Sequence, residues 1–437
     1  MRQNTHKEIS VGICGLGTVG GGTLSLLTSE SSEEIRNRVG ASIVVSHVAT
    51  RTLKPQVTEG IACVGTDPFS VVSDPSVDIV IETMGGYDPA FELIKKALLN
   101  KKHVVTANKA LIAERGNELF RFAQDNGVIL AFESSVAGGI PIIKALREGL
   151  AANRINWLAG IINGTGNFIL TKMASDQRQF EDVLQEAQAK GYAETDPTFD
   201  IEGIDAAHKL TIMSSIAFGI PLQFAETYTE GISKITPEDI SYANELGYAI
   251  KHLGIASSSD SGIEMRVHPT LISKTQLLAN VDGVENAIMI NGNSVGSTLY
   301  SGPGAGAEAT ASAVVADIID IARYKISGSK VPIYPSLGYH VLRSDIPVRG
   351  IDEIETEYYL RIPVMDRVGV MAKISSILQA HEINIEAVIQ KEPVSEIVPI
   401  IILTHLAKEK NMKLAMQAIE HLEEVVGCIN RIRVESF

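Results

Sequence analysis

The hexapeptide Gly15-Leu16-Gly17-Thr18-Val19-Gly20 follows directly on the apolar run Ile9–Cys14 and opens a helix-like segment. No other feature narrows the possible folds as much. A strand that turns into a helix through three glycines at this spacing is the opening of a βαβ unit that binds a dinucleotide. Gly15 permits the tight turn, Gly17 lets the backbone approach a pyrophosphate, and Gly20 allows close helix–strand contact; Leu16, Thr18 and Val19 complete the loop. The helix N-terminus then offers unpaired N–H groups and the positive end of its dipole to the phosphates. A Gly-rich turn in an unrelated α/β protein is the plainer alternative, and the strand before and helix after argue against it.

The pattern continues through the first 150 residues. Runs rich in β-branched residues, at Ser42–Ala49, Asp78–Glu82, His103–Thr106 and Val128–Phe132, alternate with amphipathic segments such as Asp88–Asn100. Such a succession is a doubly wound α/β sheet. Sites specific for NAD usually end the second strand on an acidic residue that holds the ribose 2′-hydroxyl. Here the strand ends Val48-Ala49-Thr50-Arg51, with Lys54 following and no carboxylate. Arg51 can neutralise a 2′-phosphate, so NADP is favoured over NAD; a solvated surface arginine is the other reading.

At 437 residues the chain is too long for one core, and about 150 residues per domain predicts two or three. From about Asn153 the texture changes. A strand-like Asn156–Ile162 runs into a Gly/Asn turn, Asn163-Gly164-Thr165-Gly166-Asn167. Helical stretches at Phe180–Lys190 and Ile204–Phe218 follow, then a β-rich region from about Ile263 to Tyr300. A second Gly-rich loop, Gly302–Gly306, precedes an Ala-rich helix, Glu308–Tyr324, and residues 325–354 read as a linker. Residues 355–437 look self-contained: strand, helix, two strands, helix and strand in the βαββαβ order of a ferredoxin-like unit. The expected domains are therefore 1–152, completed by about 305–340, then 153–304, then 355–437.

Composition removes several function classes. A net charge of −14 with no Lys/Arg-rich run disfavours a nucleic-acid partner, because phosphate binding needs a basic face. Cys14, Cys63 and Cys428 are odd in number and scattered, which suggests neither a disulfide framework nor a zinc site. Met1–Glu8 has no apolar signal-peptide core, and the longest apolar stretches, such as Ile397–Leu403, fall short of the roughly 18 residues of a membrane span. A cytoplasmic protein without membrane contact is expected.

The stretch Lys190-Gly191-Tyr192-Ala193-Glu194-Thr195-Asp196-Pro197-Thr198-Phe199-Asp200, continuing Gly203-Ile204-Asp205-Ala206-Ala207-His208-Lys209, carries the most chemistry. Asp205 and Lys209 are four apart on a predicted helix and share one face. Leu210, Ile212, Met213 and Ile216 make that helix largely apolar, which implies a partly buried ionic pair. A buried lysine beside a carboxylate suits a proton donor, since burial lowers its pKa and the partner orients it. The spacing alone favours an ordinary helix-surface salt bridge. His208 points about 100° away around the helix and reads as structural.

This segment closely resembles that of homoserine dehydrogenases, and the likeness extends over about residues 9–340. The N-terminal Gly loop, Thr106-Ala107-Asn108-Lys109, Glu133-Ser134-Ser135-Val136-Ala137-Gly138-Gly139, Asn163-Gly164-Thr165 and Gly302–Gly306 follow that family's order. Asp366-Arg367-Val368-Gly369-Val370 with Asn384-Ile385 is similar to the opening of an ACT domain. Together they resemble the monofunctional bacterial type, with a Rossmann-like nucleotide domain, an α+β catalytic and dimerisation domain and a C-terminal ACT domain. Cys14, just before the first glycine, departs from the pattern but is small enough for a buried strand end.

The resemblance implies NAD(P)H-dependent, reversible reduction of L-aspartate 4-semialdehyde to L-homoserine, in threonine, methionine and isoleucine biosynthesis. By it, Lys209 protonates the nascent alkoxide, Asp205 fixes Lys209 and contacts the substrate, Glu194 holds the α-ammonium, and Asp200 lies nearby. Lys109, at a strand end beside the nicotinamide, is a second cation near the reacting carbonyl, where negative charge develops. Thr106, Gly191 and Gly306 match positions facing the cofactor. A monovalent cation, usually sodium, is implied on backbone oxygens matching Glu133, Val136, Gly138 and Ile140. ACT domains bind amino acids between paired copies, which implies Asp366, Gly369 and Asn384 as an effector site, L-threonine as feedback inhibitor, and a homodimer or homotetramer. Another amino-acid-pathway reductase, a non-catalytic metabolite sensor and an ACT domain that only dimerises are the competing readings. Retention of Asp205, Lys209 and the glycines argues against the sensor.

Overall fold

The computed structural model describes residues 8–53, 56–329, 335–390 and 396–437; Lys54 and the segment before Glu8 lie outside them. The chain divides into two compact units. One takes the described residues of 1–156, 208–225 and 290–346, the other 157–207, 226–289 and 347–437.

The first unit is built on six strands: β1 (Glu8–Cys14), β2 (Ser42–Ala49), β3 (Cys63–Gly65), β4 (Ile79–Glu82), β5 (His103–Thr106) and β6 (Leu130–Ala131). They pair in parallel in the order β3-β2-β1-β4-β5-β6. This is the doubly wound order whose crevice, between β1 and β4, takes dinucleotides. The central strands read as continuous apolar runs because both faces are covered: Ile79, Val80 and Ile81 are all buried. Helix Ala307–Ser327 returns to this sheet late in the sequence. Its Val314, Val315, Ile318 and Ile321 share a core with Ile9, Val11, Leu24 and Leu27. Gly22 brings helix Thr18–Thr28 close to it, since an added Cβ would lie 2.7 Å from the Ala307 carbonyl oxygen.

The remaining strands are β7 (Ile155–Ile161), β8 (Tyr228–Thr229), β9 (Tyr248–Ser259), β10 (Gly262–Ser273), β11 (Glu285–Gly292), β12 (Gly296–Pro303), β13 (Glu355–Met365), β14 (Ile385–Gln390), β15 (Ile397–Thr404), β16 (Ala407–Lys408) and β17 (Asn430–Glu435). In the second unit the sheet runs β11-β7-β9-β10-β17-β13-β15-β14, with β8 beside β10 and β16 beside β13. The C-terminal strands thus continue the sheet of the middle region. The join is parallel, Thr270 facing Arg433, Leu271 facing Val434 and Ile272 facing Glu435.

Alternation along β13 explains how one strand serves two cores. Tyr358, Leu360, Ile362 and Val364 pack under helices Val370–Ala380 and Glu409–Glu420. Tyr359 turns the other way, into a core with Phe168, Met173, Val183, Ile240, Ile401 and Val434. Residues 355–437 have the expected βαββαβ order, but only one face of their sheet has a core of its own.

Several local readings need correction. Asn163–Asn167 is the start of helix Gly164–Asp176 rather than a turn, because the Asn163 side chain caps it, Oδ1 accepting from Gly166 N–H at 2.7 Å. The β-rich region begins earlier, at Tyr248, and the Ala-rich helix extends to Ser327, into the stretch from 325 where the linker was expected to begin. Lys109 is the first residue of helix Lys109–Asn126, three past the strand end.

Candidate functional site

The three fingerprint glycines differ in what the fold asks of them. Gly15 sits at φ +103, and its N–H donates to the Ala49 carbonyl at 2.8 Å, fastening the turn after β1 to the end of β2. A Cβ on Gly20 would fall 1.9 Å from the Gly15 carbonyl oxygen and 2.7 Å from Thr83 Oγ1. A Cβ on Gly17 would meet nothing within 4 Å, so the protein's own packing does not require a glycine there. Helix Thr18–Thr28 starts at Gly17 with no side-chain cap and no acidic residue in its first turn, which leaves its N–H groups available to an anion. Leu16 and Val19 pack at the margin of the core beneath. Cys14 is buried, and burial, with Glu82 and Asp67 adding to it, pushes its thiol far above the ordinary range, so it is inert. Arg51 lies exposed just beyond β2.

Glu82, at the end of β4, is a buried carboxylate that sequence reading passed over. It accepts from Thr106 Oγ1 at 2.6 Å and from the N–H groups of Met84 and Gly85 at 2.8 and 3.1 Å. Burial pushes its pKa up against those donors. Thr106, a candidate cofactor residue, is therefore committed to organising the loop after β4. Asn108 Nδ2 donates to the Gly86 carbonyl at 2.6 Å, and Asn108 Oδ1 caps the helix that begins at Lys109. A carboxylate closing the apolar run Ile79–Ile81 was the available signal.

The loop from Glu133 to Ile140 is buried and irregular. Ala137 and Gly138 turn through φ +54 and +48, and a Cβ on Gly138 would lie 2.6 Å from the Gly304 carbonyl oxygen. The Glu133 carboxylate accepts from the N–H groups of Ile143 and Lys144, both at 2.9 Å, and its own N–H donates to Asp317 Oδ2 at 2.8 Å. Burial, then Asp317, pushes the Glu133 pKa up. Of the four residues expected to present backbone oxygens to a cation, the Glu133 carbonyl accepts from Val136 N–H at 3.3 Å and the Ile140 carbonyl from Ile142 N–H at 2.8 Å.

Helix Ile204–Phe218 carries Asp205 and Lys209 one turn apart, 4% and 9% exposed, on a segment whose Ala206, Ala207, Leu210, Ile212 and Met213 are also buried. Asn163 organises the acids. Its Nδ2 donates to Asp200 Oδ1 at 2.8 Å and to Asp205 Oδ2 at 2.9 Å, so one amide spaces two carboxylates. Nothing local marks this, since the partners are 37 and 42 residues away. Thr165 Oγ1 donates to the Tyr192 carbonyl at 2.7 Å, tying the same helix start to the segment of Gly191 and Glu194. Gly191, at φ +73, and Glu194 are exposed; Gln188 Nε2 donates to the Glu194 carbonyl at 3.1 Å. His208 is a structural group: its Nε2 pairs with Glu114 Oε1 at 3.2 Å and its ring stacks on Phe224.

Gly306, at φ +115, starts helix Ala307–Ser327 with no side-chain cap and open space at its Cα. Asp366 and Gly369 share the turn after β13, where Gly369 (φ +92) starts helix Val370–Ala380, again without a side-chain cap. Asn384 immediately precedes β14, and its carbonyl accepts from His405 N–H at 3.0 Å.

Known proteins resemble the chain throughout. Residues 15–133 match the family described as "Homoserine dehydrogenase, NAD binding domain", 141–319 match "Homoserine dehydrogenase", and 358–424 match "ACT domain". A homoserine dehydrogenase of Pseudomonas aeruginosa is 56% identical over 98% of this chain and 99% of its own. That of Bacillus subtilis is 38% identical over 98% and 99%. The crystal structure of a homoserine dehydrogenase from Thiobacillus denitrificans superposes with a TM-score of 0.94 at 55% identity, covering 98% of this chain and 99% of that one. A hyperthermophilic archaeal homoserine dehydrogenase in complex with NADPH gives 0.62 at 28% identity, over 77% of this chain and all of that one.

Proposed function

The chain belongs to the homoserine dehydrogenase family, and from that membership we propose how its own residues reduce L-aspartate 4-semialdehyde reversibly to L-homoserine. It is an NAD(P)-dependent oxidoreductase with a nucleotide-binding domain and an ACT domain. In the proposed division of labour, residues 1–152, completed by about 305–340, hold the nucleotide; 153–304 hold the substrate and a dimer partner; 355–437 regulate.

A reduced nicotinamide held by the glycine loop would supply hydride to the aldehyde carbon. Lys209 gives the proton to the carbonyl oxygen as negative charge builds there, so the aldehyde gains H⁻ and H⁺ and becomes an alcohol. In reverse, neutral Lys209 takes the hydroxyl proton. Asp205 orients Lys209 and meets the substrate, Glu194 pairs with the α-ammonium, and Asp200 adds to the negative field there. Lys109 stabilises the developing alkoxide as a second cation. The observation that carries this reading is a carboxylate and an ammonium one turn apart on a buried, apolar helix. Ions are tolerated in such a place where they are paired and used.

Gly15, Leu16, Gly17, Thr18, Val19 and Gly20 seat the pyrophosphate, with Thr106, Gly191 and Gly306 against the rest of the cofactor. Arg51 selects NADP over NAD through the 2′-phosphate, a reading supported by its charge and exposure at the end of β2 and by the NADPH complex of the archaeal relative. Sodium on the carbonyls of Glu133, Val136, Gly138 and Ile140 would neutralise their dipoles and fix the loop. L-Threonine would inhibit through Asp366, Gly369 and Asn384 of paired copies in a homodimer or homotetramer. The enzyme would work in the cytoplasm, in threonine, methionine and isoleucine biosynthesis.

The test is absorbance of reduced nicotinamide with L-homoserine and NADP or NAD, in sodium-containing buffer. Lys209→Ala is expected to lower kcat by about 10²- to 10⁴-fold. Full turnover in the variant would remove Lys209 from proton transfer. The faster cofactor decides the part played by Arg51, and added L-threonine decides the effector.

A further inference from the structure

Arg433, in β17, is 1% exposed. Its Nε and Nη2 donate to the two carboxylate oxygens of Glu409 at 3.0 and 2.8 Å, and its Nη1 donates to Glu230 Oε2 at 2.8 Å. Glu409, fully buried, also accepts from Tyr358 O–H and from Arg431 Nη1, both at 2.7 Å. Tyr228 O–H donates to the same oxygen of Glu230 at 2.9 Å. Two carboxylates and two guanidiniums balance, and the hydrogen bonds compensate for their burial. Arg433, Arg431, Glu409 and Tyr358 come from the C-terminal ferredoxin-like unit. Glu230 and Tyr228 come from the middle of the chain.

Glu230 is fixed by its backbone as well. Its N–H donates to the Val267 carbonyl at 2.8 Å, and its carbonyl accepts from His252 Nε2 at 2.9 Å. The residues that follow reach the substrate segment. Ile232 N–H donates to the Ile201 carbonyl at 2.9 Å, and Ser233 Oγ donates to Glu202 Oε1 at 3.3 Å. Gly231 is pressed so close that an added Cβ would lie 2.6 Å from the Ile201 carbonyl oxygen. Gly203, at φ +82, is closed in by the His252 ring, 3.1 Å from an added Cβ. Ile201–Ile204 is the link between Asp200 and Asp205. On its other side the segment Glu230–Thr236 borders an open cleft of about 730 Å³ shared with Arg431, Lys413 and Glu420. Ile232 and Ile235 fasten the segment to the core that includes Phe168 and Leu271, and the ionic anchor fixes its Glu230 end.

We propose that Glu230, held by Arg433, is a positioning residue that ties the placement of Asp200 and Asp205 to that of the C-terminal sheet. This rests on the reading that Asp200 and Asp205 meet the substrate. A shift of β17 along β10 moves Glu230, then Ile232 against Ile201, then the two carboxylates. A ligand of the C-terminal unit thereby has a mechanical route to substrate affinity, one with identifiable contacts at each step.

The experiment measures KM for L-homoserine, KM for the cofactor and kcat in the full-length enzyme and in Glu230→Gln, with hydrogen exchange on both. Glu230→Gln should raise the homoserine KM about three- to tenfold, leave the cofactor KM unchanged, and speed exchange at residues 198–203 but not in β15. Glu230→Asp, which keeps the charge one methylene short, should restore part of the affinity, and it replaces Glu230→Gln if that variant does not fold. An unchanged homoserine KM, or equal loosening of residues 198–203 and β15, overturns the proposal. Asp205→Asn is run alongside. If it too leaves the homoserine KM alone, the substrate reading has failed and the positioning role falls with it. If it raises KM while Glu230→Gln and Glu230→Asp do not, the positioning role alone is overturned.

Discussion

Gly17 and Gly20 are three residues apart in one loop, yet the same substitution should do opposite things to them. Alanine at Gly20 forces a methyl into the Gly15 carbonyl at 1.9 Å, and the loop must shift. Overpacking of this kind costs about 1–3 kcal/mol, so a lowered melting temperature is expected along with lost cofactor binding. Alanine at Gly17 meets no protein atom within 4 Å and its φ of −73 is open to any residue. Stability should stay as it was, while the cofactor KM rises about tenfold or more from the methyl standing where a phosphate must approach. Thermal melts paired with cofactor titrations check this. A Gly17→Ala enzyme that binds cofactor normally would disprove the pyrophosphate seat.

At the scale of elements, helices Gly164–Asp176 and Ile204–Phe218 meet through Asn163. Its Oδ1 caps the first while its Nδ2 bonds carboxylates on and before the second. Asn163→Asp separates these duties. An aspartate still caps a helix, but it sets a third negative charge against Asp200 and Asp205. The homoserine KM should rise by about tenfold or more, as expected for losing a hydrogen bond to a charged group, with the cofactor KM nearly unchanged and the melting temperature lowered by the third buried carboxylate. Equal changes in both KM values would count against it. The helix itself was legible in sequence from its apolar run and its i, i+4 ions. Asn163 was visible only as part of a quoted motif, because a bond to residues about forty positions away leaves no local period. The Glu82–Thr106 pair was hidden for the same reason.

For the whole molecule, the parallel strand order followed from the alternation of apolar runs and the glycine loop, since few other topologies accommodate them. The seam between β10 and β17 could not be read, because it joins residues over 160 positions apart through a backbone ladder that leaves no local period. The buried histidines set the acid limit of the folded chain. Burial lowers His103 and His252 to about 4, and His268 lies well below its ordinary value for the same reason, with Arg433 and Arg266 adding to it. All three are neutral in the folded state, whereas the unfolded chain takes up protons near pH 6.5. Their contribution is therefore complete above about 6.5 and is lost as pH falls toward 4, roughly 3 kcal/mol each for His103 and His252 over that window. Melting temperature should drop steeply between pH 6.5 and 4.5, and His252→Gln, which keeps a donor for the Glu230 carbonyl, should flatten the slope. Identical acid profiles for the two proteins would exclude His252 as a cause.

The seam at β10 and β17 also bears on what a shortened gene could encode. Cutting the chain after the middle region would strip Thr270, Leu271 and Ile272 of their neighbouring strand, open a core that includes Tyr359, Ile401, Leu403 and Val434, and leave Glu230 without its arginine. The product would carry a naked sheet edge, a template for self-association. Lineages could discard or exchange this C-terminal piece only together with compensating changes along β10, so the ACT domain and the sheet it completes are inherited as one trait.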